Sequence, residues 1–225
     1  MTDPATDTSA PADTLAAALA RHQLNLPAAH VVQLEKYARL LWDWNEKINL
    51  TRHTDYEKFV ARDVLDSWQL SQLLLPGDAV LDVGSGGGVP GIILAILRPD
   101  VEVSLCESIG KKAKVLEDIV SKLKLETHVY HCRAEEVLED ERFTAVTARA
   151  VGSIQKMCTW FKPHWASIGR LLTIKGPSWL DERSEARHAG AFNDLELRVA
   201  AKYPMPGTDS ESVILKLWPK GSPEK

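Results

Sequence analysis

Hydrophobic and polar positions follow two different rhythms along this chain. Up to about residue 75 the apolar residues recur at helical spacing: Leu15 and Leu19, then Val31, Leu34, Tyr37, Ala38, Leu41 and Trp42. Residues three and four apart share one face of a helix. A further helix is predicted from Thr54-Asp55 to Leu75, with Phe59, Val60, Val64, Leu65 and Trp68 on one face and Pro76-Gly77 ending it. From residue 78 short apolar runs alternate with helix-like segments. Strands are expected at 79–83, 101–106, 127–132, 143–148 and 170–175, with helices at 90–97, 109–124, 134–139, 153–166 and 178–189. Two last strands, 195–202 and 212–218, pair as a hairpin. Strands that alternate with helices imply an α/β fold, a mostly parallel sheet with helices on both faces.

Three segments follow. Residues 1–13 are small, polar and proline-containing and read as a disordered tail. Residues 14–75 form an N-terminal helical extension, and 76–225 the α/β domain. The 225 residues are 44% hydrophobic and 26% charged, as in an ordinary globular protein. No apolar run approaches the roughly 18 residues of a membrane span, and no signal pattern precedes the first helix, so a cytoplasmic protein is expected. Cys106, Cys132 and Cys158 lack the spacing of a zinc site or a disulfide framework, and each is expected as a buried thiol. A net charge of −4 argues against a protein that coats nucleic acid non-specifically, while leaving room for a local basic patch.

The candidate chemistry begins at Asp82-Val83-Gly84-Ser85-Gly86-Gly87-Gly88, where a strand runs into a glycine turn and then a helix. Such a junction at the carboxyl end of a sheet is where open α/β folds bind nucleotide-like ligands. Gly86 to Gly91 fits the dinucleotide fingerprint GxGxxG, which keeps a nicotinamide-dependent oxidoreductase open. Reading the fingerprint from Gly84 fails at Val89, however, and Asp82 stands where dinucleotide folds usually carry an apolar residue. The spacing Asp-x-Gly-x-Gly-x-Gly resembles the first motif of S-adenosylmethionine-dependent methyltransferases. Glu107, closing the second strand, is placed to accept both ribose hydroxyls, or else acts only as an acid at a helix start. Arg133-Ala134-Glu135-Glu136 falls where such folds meet the adenine, and Ala148-Arg149-Ala150 faces the same crevice.

Longer segments then carry a resemblance. Trp44-Asn45-Glu46-Lys47-Ile48-Asn49-Leu50-Thr51, Arg62-Asp63-Val64-Leu65-Asp66-Ser67, Asp82 to Gly91, Glu107 to Lys112, Arg133 to Glu136, Ala148-Arg149-Ala150 and Lys175-Gly176 occur in that order. From about residue 35 to 218 the chain resembles the bacterial 16S ribosomal RNA guanine-N7 methyltransferases, the glucose-inhibited division protein B family. The resemblance implies a seven-stranded, Rossmann-like class I methyltransferase sheet spanning 76–225. It also implies S-adenosylmethionine as cofactor, and methyl transfer to N7 of one guanine in 16S ribosomal RNA or the small ribosomal subunit. By that pattern Gly84, Val89, Ala134, Glu135 and Arg149 line the cofactor pocket, joined by Asp82, Gly86 and Glu107 from the strand-end argument. Arg149 is the candidate catalytic group. Arg133, Arg149 and Lys175 would form a positive rim for RNA. The chain departs from the family at two places: Asp63 stands where the family has a histidine, and Glu211-Ser212 where it has Arg-His.

Guanine N7 carries an in-plane lone pair and no proton at neutral pH, so no general base is needed and positioning can supply most of the catalysis. Other acceptors are still open: another RNA, a protein or a small molecule. No Asn-Pro-Pro-Tyr, Asp-Pro-Pro-Tyr or Pro-Cys motif points to amine or pyrimidine methylation. Trp44, Trp68, Trp160 and Trp165 are expected mostly in the core, with Trp179, on a loop after Gly176-Pro177-Ser178, the best stacking candidate. Asn45 and Asn49 are expected on one helix face, with Asn49 capping a turn before Thr51. No metal is implied, and a monomer is expected.

Overall fold

A computed structural model describes residues 13–222. The tail expected over 1–13 lies, apart from Asp13, outside the described residues. The extension consists of α1 (Leu15–Arg21), α2 (Ala28–Asn45), α3 (Tyr56–Lys58), a π-helical segment (Phe59–Val64) and α4 (Leu65–Ser71). Thr14 and Asp55 cap α1 and α3 by accepting the backbone N–H groups of Ala17 and Lys58. The helix expected from residue 54 to 75 therefore begins at Tyr56, ends at Ser71 and changes its hydrogen-bond register midway. Such π-helical turns are rare and concentrate at functional sites.

The rest alternates as expected: β1 (Ala79–Val83), α5 (Gly91–Leu97), β2 (Glu102–Cys106), α6 (Gly110–Leu123), β3 (His128–Tyr130), α7 (Ala134–Asp140), β4 (Ala145–Arg149), α8 (Ile154–Phe161), β5 (Leu171–Lys175), α9 (Trp179–His188), β6 (Leu195–Pro204) and β7 (Glu211–Pro219). Helix 153–166 stops early because Pro163 has no backbone N–H to donate, and residues Lys162–Ser167 continue as a 3-10 turn. The seven strands form one sheet in the order β3-β2-β1-β4-β5-β7-β6. β1 to β5 pair in parallel, while β7 runs antiparallel to β5 and to β6. The expected hairpin is thus present. One core packs α1, α2, α4, α5 and α6 against one face of the sheet, and α7, α8 and α9 cover the other.

The chain runs outward through β1, β2 and β3, then returns to place β4 beside β1. That reversal leaves a crevice at the carboxyl ends of β1 and β4, where ligands bind in open α/β sheets. At the opposite end Arg170 and Asp78, both nearly buried, form an ion pair that joins β5 to β1.

Candidate active site

The glycine turn after β1 is held from three sides. Beneath it lies Asp82, fully buried: Oδ1 accepts the Thr147 hydroxyl at 2.8 Å, and Oδ2 accepts the Gly91 N–H at 3.2 Å. The Ser85 hydroxyl donates to the Asp82 carbonyl at 2.8 Å. From the side, Glu107 accepts the Gly86 N–H on Oε2 at 3.0 Å and the Ile109 N–H on Oε1 at 2.8 Å. From behind, the Tyr37 hydroxyl on α2 donates to the Gly87 carbonyl at 2.9 Å. The helical extension is therefore part of the loop's support.

Gly84 and Gly86 have φ of +65° and +59°, the left-handed region that side chains disfavour. A Cβ on Gly84 would come within 2.8 Å of Val151. A Cβ on Gly86 would meet only the Gly84 carbonyl at 3.7 Å, so it would project into the crevice instead of into protein. This bare backbone borders a cavity of about 140 Å³ lined by Val83, Gly84, Cys106, Arg133, Ala134 and Glu135 and walled by Val151, Trp160 and Phe161. A narrow, largely apolar slot between aromatic and aliphatic side chains suits a purine, and a buried carboxylate next to it suits a ribose. The residues present fit an adenosine-containing cofactor.

Several sequence-based expectations change here. Asp82 is expected at the cofactor, but its side chain is completely buried under the loop, with Thr147 and the Gly91 N–H on its carboxylate, so it shapes the loop from below. Lys175 is expected on the rim, but it is 7% exposed, and its ammonium meets the Gly152 carbonyl and, at 2.8 Å, Glu182 Oε2. Its charge is already answered, which removes it as a free phosphate contact. Arg133 does stand exposed at the crevice mouth as the residue before α7. Helix α2 ends at Asn45, so Asn49 is not on its face; the capping side chain is Asn45, whose Oδ1 accepts the N–H groups of Leu50 and Thr51. Trp179 packs half-buried beside the second core, and Trp160 is the tryptophan on the adenine-sized cavity. Cys106 and Cys158 are buried and Cys132 half-buried; burial pushes the Cys158 thiol up to about 11.

Arg149, at the end of β4, adjoins two larger cavities on the other side of the crevice. One, about 570 Å³, is lined by Asn49, Leu50, Thr51, Arg52, His53 and Arg149. The other, about 430 Å³, lies among His53, Arg62, Asp66, Arg149, Ala150 and Lys175. The Arg149 guanidinium donates to Asp63 Oδ1 at 2.7 Å, to Asp66 Oδ2 at 3.2 Å and to the Arg62 carbonyl at 3.4 Å. All three partners sit on the π-helical turn and the start of α4. Asp63 Oδ1 also accepts from His53 Nδ1 at 2.9 Å, and the Tyr203 hydroxyl donates to Asp66 Oδ1 at 2.8 Å. Burial pushes the Asp66 carboxyl above its ordinary range, with Arg149 opposing. Ala150, beside Arg149, holds a φ of +57°, a strained setting for a residue with a side chain. Tyr203 is not marked in the sequence pattern, because its partner Asp66 lies 137 positions away; His53, Arg52 and the strain at Ala150 belong to no motif or periodicity that would single them out.

Asp82 gives a pH signature. Burial raises its carboxyl to about 6, against the hydrogen bonds that favour the charged form. The folded state therefore takes up a proton between about pH 4 and 6, and the stability due to this group falls as pH rises through that window, by about 3 kcal/mol in all. Asp82→Asn is expected to remove this component. The difference in Tm between wild type and variant, followed from pH 4 to 7, shows it; parallel pH profiles would contradict it.

The fold matches solved methyltransferases. A Thermotoga maritima S-adenosylmethionine-dependent O-methyltransferase is similar at TM-score 0.51 and 16% identity, covering 82% of this chain and 73% of that one. The 23S rRNA methyltransferase ErmE is similar at TM-score 0.52 and 18% identity, over 72% and 70%. The architecture is that of a class I S-adenosylmethionine-dependent methyltransferase. Residues 30–203 match the family model described as rRNA small subunit methyltransferase G. Ribosomal RNA small subunit methyltransferase G of Rhodopirellula baltica is 55% identical over 188 residues, covering 84% of this chain and 81% of that protein. The Roseiflexus protein of the same name is 40% identical over 202 residues, covering 85% of each. The chain belongs to the rRNA small subunit methyltransferase G family.

Proposed function

We propose that this protein transfers the methyl group of S-adenosylmethionine to N7 of a specific guanine in 16S ribosomal RNA. The observation that carries the reading is the bare, positive-φ glycine turn at the end of β1. It faces an adenine-sized cavity on one side and two larger cavities around Arg149 on the other. In this reading Gly84, Gly86, Val89, Glu107, Ala134 and Glu135 hold the cofactor, with residues 14–75 as an extension of a methyltransferase domain at 76–225. The protein acts as a monomer in the cytoplasm. Among the described residues no helix is long and apolar enough to cross a membrane.

When bound, S-adenosylmethionine supplies a sulfonium methyl: the N7 lone pair forms the new C–N bond as the C–S bond breaks and its electrons stay on sulfur. The protein's own task is placement and charge. Main-chain atoms of the glycine turn allow close approach, and the Glu107 carboxylate, keeping spare lone pairs beside those used by Gly86 and Ile109, accepts ribose hydroxyls. The guanine becomes cationic as it is methylated. An arginine alone beside it would oppose that change. Here Arg149 is paired with two carboxylates, Asp63 and Asp66, so its charge does not stand alone against the developing cation.

Calorimetric titration tests the cofactor. S-adenosylhomocysteine is expected to bind and NAD is not; NAD binding without a response to S-adenosylhomocysteine would sink the reading. For RNA, exposed Arg52 and Arg133 flank the crevice. Arg52→Ala and Arg133→Ala are each expected to weaken RNA binding and reduce the salt slope by about one. An unchanged slope would remove these residues from the phosphate contacts.

A further inference from the structure

His53 is the one histidine bordering both cavities on the acceptor side of the crevice, and Arg149 is the only other residue they share. Its backbone is fixed at both ends: the N–H donates to Thr51 Oγ1 at 3.0 Å, and the carbonyl accepts the Trp42 indole N–H at 2.8 Å. Its ring is fixed by Asp63, whose Oδ1 lies 2.9 Å from Nδ1. The Asp63 side chain is fully buried, while the His53 side chain is 28% exposed. A ring nitrogen facing a carboxylate oxygen carries the proton, and in that tautomer Nε2 is the nitrogen with the lone pair. The geometry is that of a histidine oriented by a buried acid, with its second nitrogen free to meet a substrate.

Resting on the guanine-N7 reading above, we infer that His53 Nε2 accepts a hydrogen bond from N1–H of the target guanine and selects that base. The methyl-accepting edge of guanine carries only the acceptors N7 and O6, so an acceptor on the protein must address the opposite edge. That edge offers N1–H and the 2-amino group. Adenine presents a lone pair at N1 and would face the Nε2 lone pair; a site built to accept a proton rejects a ligand that lacks it. The contact also favours the reaction. As N7 forms its bond the base gains one positive charge, and N1–H becomes a stronger donor while its proton stays on N1 throughout. An interaction that strengthens toward the transition state raises the rate of the chemical step. Asp63 behind the ring supports the increased positive character of the imidazole.

Two isosteric variants separate this role from a structural one. His53→Asn keeps a donor toward Asp63 and loses the atom at the Nε2 position. His53→Gln keeps an acceptor near the Nε2 position and loses the bond to Asp63. The measurements are single-turnover methylation of small ribosomal subunits lacking the modification, product mapping, S-adenosylhomocysteine affinity by calorimetry, and thermal unfolding. His53→Asn is expected to lower the single-turnover rate on the order of 100-fold, with Tm and S-adenosylhomocysteine affinity unchanged. His53→Gln is expected to retain the rate within about tenfold, even where its Tm falls, because one lost hydrogen-bond difference of 1.4 kcal/mol is tenfold. The reverse order, with Asn active and Gln inactive, would overturn the inference, as would equal rates for all three proteins. Failure of the wild type to methylate a guanine at N7, despite binding S-adenosylhomocysteine, would instead refute the guanine reading itself, and the inference with it.

Discussion

Asp63→Ala is expected to lower folding stability by about 3–5 kcal/mol. Asp63 is fully buried and holds two groups at once, the Arg149 guanidinium at 2.7 Å and His53 Nδ1 at 2.9 Å. Removing it leaves a largely buried arginine with one carboxylate, the more distant Asp66 at 3.2 Å. The Arg149 guanidinium and the His53 ring then lose their shared acceptor together, and a donor left without its partner inside the protein costs more than the net worth of its bond. Urea unfolding should show a lower midpoint with an unchanged slope, the mark of altered stability without altered compactness. A loss below about 1 kcal/mol, the worth of an exposed pair, would mean that Arg149 finds water or another partner and that the cluster is not a fixed element.

Gly86→Val is expected to abolish S-adenosylhomocysteine binding while leaving a folded protein. The backbone there has φ +59°, where a β-branched residue is strained by roughly 1–3 kcal/mol. Its Cβ meets no protein atom closer than the Gly84 carbonyl at 3.7 Å, so the branched side chain fills the space that the cofactor needs. Strain and exclusion are separable. Circular dichroism and unfolding report the first, and calorimetry reports the second. A variant that unfolds slightly earlier yet binds S-adenosylhomocysteine as wild type does would place the cofactor elsewhere.

The parts of this fold that depend on local sequence were legible. β1 matches its expected bounds at Ala79–Val83 because an apolar run meets glycines at once. The order of strands and helices follows from the alternation of periods, and the hairpin of β6 and β7 from two long strands at the end. Strand limits were less so: β3, at one edge of the sheet, is only His128–Tyr130, shorter than the expected 127–132. The π-helical turn at Phe59–Val64 leaves no trace in the pattern, since an altered hydrogen-bond register barely moves the apolar face.

The site divides along the same line. The glycines, Glu107 and Arg149 stand at strand ends and Ala134 opens the helix after β3, and such junctions can be counted from a sequence. Whether a charged residue there is free or spoken for cannot be counted. Lys175 reads as an open cation and is paired with Glu182; Asp82 reads as a ligand and is bonded to Thr147 and Gly91. The His53–Asp63–Arg149 chain joins residues up to 86 positions apart and depends on the helical extension folding across β4. Asp63 looks like the loss of a cation in the sequence and proves to hold both the Arg149 guanidinium and the His53 ring.

The most direct measurement is the position of the methyl group. Small ribosomal subunits lacking the modification, incubated with the purified protein and S-adenosylmethionine, should acquire one methyl at N7 of a single guanine in 16S RNA. Cleavage chemistry specific for N7-methylated guanine, followed by primer extension, would mark that nucleotide. Label incorporated at another atom or base, or only into ribosomal protein, would contradict it.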